Sequence, residues 1–268
     1  MTVAVLGAGV MGETVVSGLL RAGRPPADLL MTVRRSERGA ELRERYGVDV
    51  VSNVEAAAKA DTLVLVVKPQ DMPDLLDEIA PAVRSGQLVM SLAAGITTAS
   101  IESRLPEGVA VVRVMPNTPA LVDEGMSAIS RGSHCDEEHL IEAEELMGAT
   151  GRVVRVPEKQ QDAVTAISGT GPAYLFFVVE AMIEAGVHLG LPRSTATELV
   201  IQTMVGSAKL LRETGEHPTV LRERVTSPGG TTAAAIRELE DHKVRAAFMV
   251  ALESARNRSR ALASGESD

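Results

Sequence analysis

The chain has 268 residues, enough for one large or two ordinary domains, and its 45% hydrophobic and 24% charged content is that of a globular protein with a real core. A net charge of −9 leaves no basic stripe and argues against a nucleic-acid binder, so an anionic ligand must be held by local positive groups. A single cysteine, Cys135, excludes an internal disulfide and a thiolate metal site; the five histidines show no ligand spacing, so no metal is expected.

Residues 2–6, Thr-Val-Ala-Val-Leu, are a continuous apolar run, the pattern of a buried parallel strand. Gly7-Ala8-Gly9-Val10-Met11-Gly12 follows, and residues 13–22 then have helical spacing. A Gly-x-Gly-x-x-Gly run between strand and helix is the setting of a dinucleotide fingerprint. Gly7 makes the tight turn, Gly9 lets a pyrophosphate approach the backbone, and Gly12 lets helix and strand pack closely. A glycine-rich turn with no ligand has the same pattern. No basic segment or cleavage site of a signal peptide precedes the strand, so a cytoplasmic location is expected.

The second strand, 29–33, ends in Arg34-Arg35-Ser36-Glu37-Arg38. An NAD enzyme would usually place Asp or Glu there for the ribose hydroxyls. Two guanidinium groups and a hydroxyl suit a 2′-phosphate, which favours NADP(H) over NAD(H). The competing reading is a charged helix start on the surface. A helix over 37–46, a strand over 48–51 and a short helix opening at Asn53 follow.

The strand 62–67 ends at Lys68-Pro69. In a doubly wound sheet this strand neighbours the first at the switch point, where ligands bind beyond the carboxyl ends. Lys68 then faces the glycine loop, unless it is only a solvated strand end. After a helix over 71–80, the strand 87–91 leads into Leu92-Ala93-Ala94, small enough to leave room for a ring or ribose. A helix over 97–104 and a strand over 109–114 reach the stiff turn Met115-Pro116-Asn117-Thr118-Pro119. Asn117 either presents its amide to a nicotinamide or serves as an Asx-type turn residue. Two more strands, 125–130 and 151–156, flank a helix over 136–147. The alternation then stops near Val156–Glu158. The expected plan is a Rossmann-like doubly wound α/β domain, 1–156, followed by an all-α domain, 157–268.

The second half opens with a long apolar helix over 160–189, interrupted by Ser168-Gly169-Thr170-Gly171-Pro172, where the proline should kink it. Glu180 and Glu184 interrupt its apolar stretch, so a membrane span is not expected. It is apolar nearly all round, through Tyr174, Leu175, Phe176, Phe177 and Met182, so it needs cover on most sides. A homodimer centred on this helix is expected. A helix over 193–213 and a short one over 219–224 lead to Val225-Thr226-Ser227-Pro228-Gly229-Gly230-Thr231-Thr232. This stretch reads either as a mere helix cap or as an anion site at a helix start. Helices to 240 and over 243–262 close the chain.

The glycine motif, Val67-Lys68-Pro69, Met115 to Pro119, Ser168-Gly169-Thr170-Gly171-Pro172-Ala173-Tyr174 and the segment 225–232 together resemble pyrroline-5-carboxylate reductase, in order and spacing, along essentially the whole chain. The resemblance implies NAD(P)H-dependent reduction of 1-pyrroline-5-carboxylate to L-proline, the last step of proline biosynthesis. It implies a helical dimerisation domain, with dimers that can assemble further into decamers. Carried over by position, it places cofactor contacts at Leu6, Gly7, Ala8, Gly9, Val10, Met11, Gly12, Arg34, Arg35, Asn53, Val66, Val67, Lys68, Pro69, Leu92, Ala93 and Ala94. It places substrate contacts at Lys68, Glu158, Val225, Thr226, Ser227, Gly229, Gly230, Thr231 and Thr232, with Thr232 as the catalytic group at the ring nitrogen. Another two-domain reductase, or a nicotinamide-sensing dimer without turnover, are the rival classes.

Overall fold

A computed structural model describes residues 1–264, with side chains to Ala261; residues 265–268 of the second half lie outside the described residues. The first half is β1 (Val3–Leu6), α1 (Val10–Arg21), β2 (Leu29–Thr32), α2 (Ser36–Tyr46), β3 (Asp49–Val51), α3 (Asn53–Lys59), β4 (Thr62–Leu65), α4 (Met72–Ile79), β5 (Leu88–Ser91), α5 (Thr98–Glu102), β6 (Ala110–Met115), β7 (Gly125–Arg131), α6 (Glu137–Gly148) and β8 (Gly151–Arg155). The strands form one sheet in the order β3-β2-β1-β4-β5-β6-β7-β8. All neighbours are parallel except β6 and β7.

The continuous apolar strands follow from cover on both faces. Val3 and Val5 of β1 join Val15, Val16 and Leu19 of α1 and Leu146 and Met147 of α6 in one core layer. Ala4 and Leu6 join Ala56, Ala57, Leu75, Leu76 and Ile79 in the other. Alternate side chains of one strand thus feed two layers, and every position must be apolar. Register then fixes the site. Leu6 pairs with Thr32 on one side and Leu65 on the other, so β1, β2 and β4 end at one level. The chain leaves all three there at Gly7, Val33 and Val66.

The strand expected over 62–67 ends earlier. Val66 N still donates to Leu6 O at 2.8 Å, but Val67 and Lys68 already turn into a one-turn 3-10 helix, Pro69–Asp71. His139 is occupied as a helix cap: Asp136 accepts from His139 N at 3.1 Å, and the imidazole accepts from Asp136 N.

The second half contains α7 (Gln161–Val164), α8 (Gly171–His188), α9 (Arg193–Thr214), α10 (Pro218–Arg224), α11 (Thr231–Asp241) and α12 (Val244–Ser264). Between α7 and α8 lies a π-helical turn, Thr165–Gly169. By contacts the chain divides into a sheet unit, Met1–Thr170 with the chain from Ala255, and a helical unit, Gly171–Ser254. Gln161 (0% exposed), Thr165 and Ala166 are buried, which is why 157–170, helical in pattern, packs with the sheet. Within the helical unit α8 and α9 approach closely where Gly186 meets Ala196. Ala196 and Val200 are the buried hydrophobic residues of that unit among the described residues.

Candidate active site

The glycine loop is built by close approach. Gly7 has φ of 108°, and a Cβ there would fall 2.4 Å from Val66 O. A Cβ on Gly12 would fall 2.1 Å from Gly7 O, which is how α1 lies so near the strand it follows. Gly9 differs: a Cβ there would meet nothing within 4 Å. It is the N-cap of α1 and carries no side-chain cap, so its bare backbone faces open space. That space is a cavity of about 650 Å³, within the usual range for a bound organic ligand. Its floor is Gly7, Ala8, Gly9, Val66, Val67 and Lys68. Thr32 Oγ1 steadies the floor by accepting from Gly7 N at 3.3 Å. An open backbone cradle at a helix amino end fits a dinucleotide pyrophosphate.

The walls carry both signs of charge. Arg34, Arg35 and Arg38 stand after β2; Asp71, Asp74 and Glu78 stand on and before α4. Arg34 Nη2 lies 2.7 Å from Asp71 Oδ2. Arg38 bonds Glu13 and, at 2.6 Å, Glu41, and that bond holds the Glu41 carboxyl below its ordinary pKa. Arg35 makes no ion pair or side-chain hydrogen bond among the described residues, and it is exposed. Asn53 opens α3 and donates to Glu78 Oε2 at 2.8 Å.

The cavity therefore gathers Gly7, Ala8, Gly9, Arg34, Arg35, Asn53, Val66, Val67 and Lys68 from the sequence-derived set. Leu6 is fully buried in β1, Gly12 is buried in α1, Val10 is 70% exposed and Met11 lies beside it in the first turn. Pro69 follows Lys68 on the surface. Leu92, Ala93 and Ala94 do not line the cavity, but Leu92 N donates to Leu65 O at 3.0 Å, which sets their loop at the end of β4. Thr32, Arg38, Asp71, Asp74 and Glu78 also line the cavity and were not expected there from the sequence. Arg38 had a signal, sitting one helical turn after Arg34 and Arg35. The acidic wall had a fainter one: positions 71, 74 and 78 share a helix face.

Two further residues are engaged elsewhere. Glu158 accepts from Thr98 N and Thr98 Oγ1, both at 2.8 Å, and lies 3.5 Å from the buried Arg113. Asn117 donates to Ser168 O at 3.1 Å and accepts from Met126 N at 2.8 Å. Both ends of its amide are thus used within the protein.

In the helical unit, the segment 225–232 joins α10 to α11. Ser227 O accepts from Gly230 N at 3.0 Å, with Pro228 second and Gly229 third in the turn. Gly229 has φ of 70°, the positive value a type II turn requires at that place. Gly230 caps α11 with backbone alone, and a Cβ on it would fall 2.7 Å from Ser227 Oγ. Thr226 Oγ1 donates back to Arg222 O at 2.6 Å. Val225 is 67% exposed, Thr231 is exposed and Thr232 is half-buried in the first turn. Among the described residues no side chain makes a cap hydrogen bond there, so the amides of that turn can take an anion.

Comparison with known proteins bears on both halves. Residues 158–262 match the family model for pyrroline-5-carboxylate reductase dimerisation, and residues 2–95 match one described as NADP oxidoreductase, coenzyme F420-dependent. Pyrroline-5-carboxylate reductase of Corynebacterium melassecola is 47% identical over 265 residues, covering 97% of this chain and 98% of its own. That of Mycobacterium tuberculosis is 43% identical over 283 residues, covering 97% and 96%. The solved structure of a pyrroline-5-carboxylate reductase from Coxiella burnetii superposes with a TM-score of 0.92 at 38% identity, covering 97% of this chain and 98% of that one. Pyrroline carboxylate reductase of Plasmodium falciparum, solved with NADP bound, gives 0.88 at 29% identity and covers 98% of each chain.

Proposed function

The chain belongs to the pyrroline-5-carboxylate reductase family, and on that footing we infer that it reduces 1-pyrroline-5-carboxylate to L-proline with a nicotinamide dinucleotide, the last step of proline biosynthesis. The observation that carries the reading is 47% identity to a reductase of that name across 97% of the chain, which engages both halves. The protein is a homo-oligomer through its dimerisation segment. Assembly of dimers into decamers and a cytoplasmic location belong to the same reading. So does a division of labour between residues 1–156, for the cofactor, and 157–268, for dimerisation and substrate; a dimerisation match that starts at 158 supports it.

The bound cofactor supplies the hydride. Gly7, Ala8 and Gly9 offer backbone and open space to its pyrophosphate, with Leu6, Val10, Met11 and Gly12 shaping the turn. Arg35, which has no ion pair among the described residues, takes the 2′-phosphate together with Arg34. NADP(H) is thereby preferred and NAD(H) accepted; the Plasmodium falciparum reductase solved with NADP supports this choice. Asn53, residues 66–69 and residues 92–94 complete the cradle.

Reduction adds a hydride to the imine carbon and a proton to the ring nitrogen. The substrate carboxylate is held by the amides of Gly230 and the first turn of α11, with Gly229 shaping the turn and the Ser227 hydroxyl donating. A helix start favours an anion by roughly 0.3–1 kcal/mol when exposed and by more when dry. Thr226 and Val225 hold the turn in place, and Thr231 and Thr232 open the helix. The Thr232 hydroxyl attends to the ring nitrogen as imine becomes amine. Thr232→Ala is expected to lower kcat/KM by one to two decades (~1.4–2.7 kcal/mol). Steady-state kinetics with 1-pyrroline-5-carboxylate check this, and unchanged kinetics would remove Thr232 from the reaction.

A further inference from the structure

Asp71 closes the 3-10 turn Pro69–Asp71 and leads directly into α4. It is the N-cap residue of α4, yet its side chain accepts no hydrogen bond from the first turn. Its Oδ2 is 2.7 Å from Arg34 Nη2 instead, which ties the turn after β4 to the segment after β2 at the cavity. Arg34 is 77% exposed and Asp71 30% exposed, so the pair is wet and easily exchanged.

We propose that Asp71 is a specificity-determining residue whose carboxylate competes with the 2′-phosphate of NADP(H) for Arg34 and so limits the preference for NADP(H) over NAD(H). The inference rests on reading this cavity as the dinucleotide site, with the 2′-phosphate at the arginines. A phosphate arriving at Arg34 meets a guanidinium already neutralised and a like charge beside it. The 2′-hydroxyl of NAD(H) carries no charge and does not contest the pair. A displaced Asp71 has somewhere to go, because the pair is wet and the carboxylate can turn to solvent. The exchange therefore tunes binding and does not block it. Arg35 is left as the arginine that meets phosphate without first giving up an ion pair.

The test is isothermal titration of the intact chain with 2′,5′-ADP and with 5′-AMP, which differ in the 2′-phosphate alone. The Asp71 side chain makes no cap bond to α4 and asparagine has nearly its shape, so Asp71→Asn keeps the local fold. Asp71→Asn is expected to tighten 2′,5′-ADP about two- to fivefold at low ionic strength, with the gain shrinking as salt rises, and to leave 5′-AMP unchanged. In an Arg34→Ala background the gain should be smaller, since the contested group is gone. The proposal is overturned if Asp71→Asn leaves 2′,5′-ADP unchanged, or tightens both nucleotides alike, while Arg35→Ala still weakens 2′,5′-ADP selectively; the arginine reading would then stand without Asp71. If the wild-type chain binds 2′,5′-ADP no better than 5′-AMP and Arg35→Ala alters neither, the arginine reading fails and takes the proposal with it.

Discussion

The glycines of the first turn look alike in sequence and do different work. A Cβ on Gly12 collides with Gly7 O at 2.1 Å, whereas one on Gly9 meets nothing. Gly9→Ala should therefore leave the melting temperature near wild type and weaken dinucleotide binding tenfold or more, as the methyl fills the space meant for pyrophosphate. Gly12→Ala should lower the melting temperature sharply, since backbone must move. Thermal denaturation beside a nucleotide titration separates the two, and a stable Gly9→Ala that binds normally would show that the cavity is not used as read. The motif and the packing roles of Gly7 and Gly12 were legible because strand, glycines and helix are contiguous. Asp71 was not, because an N-cap side chain can turn to its own helix or to a neighbour, and only tertiary structure decides. Arg34 and Arg35, equal in the sequence, part company for the same reason: one is ion-paired with a carboxylate and the other, among the described residues, is not.

At the scale of elements, the break before α8 shows two distant motifs acting together. In a continued helix Ser168 O would accept from the amide of residue 172, but Pro172 has no N–H and its ring crowds that carbonyl. The carbonyl takes Asn117 Nδ2 instead, and the chain passes the point as a π-helical turn. Asn117→Ala should then cost about 1–3 kcal/mol or more by leaving the Ser168 carbonyl and the Met126 amide without these partners. Pro172→Ala restores an N–H, so adding it to Asn117→Ala should recover part of the loss. Urea unfolding of the two single variants and the double would show additive losses if the carbonyl were already satisfied by other means. Proline made a break predictable here, while its form, and the partner 51 residues away, were not. Nothing local says that an amide in the turn after β6 will supply what Pro172 lacks. The strand ends tell the opposite story: the buried, largely apolar runs of β1, β2, β4, β5 and β6, bounded by turn residues, put the centre of the sheet within reach of the sequence pattern, because cover on both faces leaves little choice of residue.

At the scale of the whole molecule, one chain leaves much apolar surface uncovered. Phe176 is 67% and Phe177 71% exposed on α8, with Leu175 and Met182 also outward. The helical stretch Glu158–His188, interrupted by the π-helical turn, is long and apolar enough to cross a membrane, with only 11% of its most apolar window buried. The stretch lies within residues 158–262, which match a dimerisation model, and we propose another copy of the chain as the cover of this surface. That need was legible from an all-round apolar helix with too little second half to cover it. The edge of the sheet unit at Thr170 was not, because the residues that bind 157–170 to the sheet include polar Gln161 and Thr165, which periodicity does not mark as core. Phe176→Glu with Phe177→Glu should yield monomers by light scattering at micromolar concentration; an unchanged mass would place the dimer contact elsewhere. The reduction itself is tested most directly by following NADPH absorbance as purified protein meets 1-pyrroline-5-carboxylate, with proline measured at the end. NADPH loss matched one for one by proline is expected, and a folded, oligomeric protein that consumes no NADPH with this substrate would contradict the assignment.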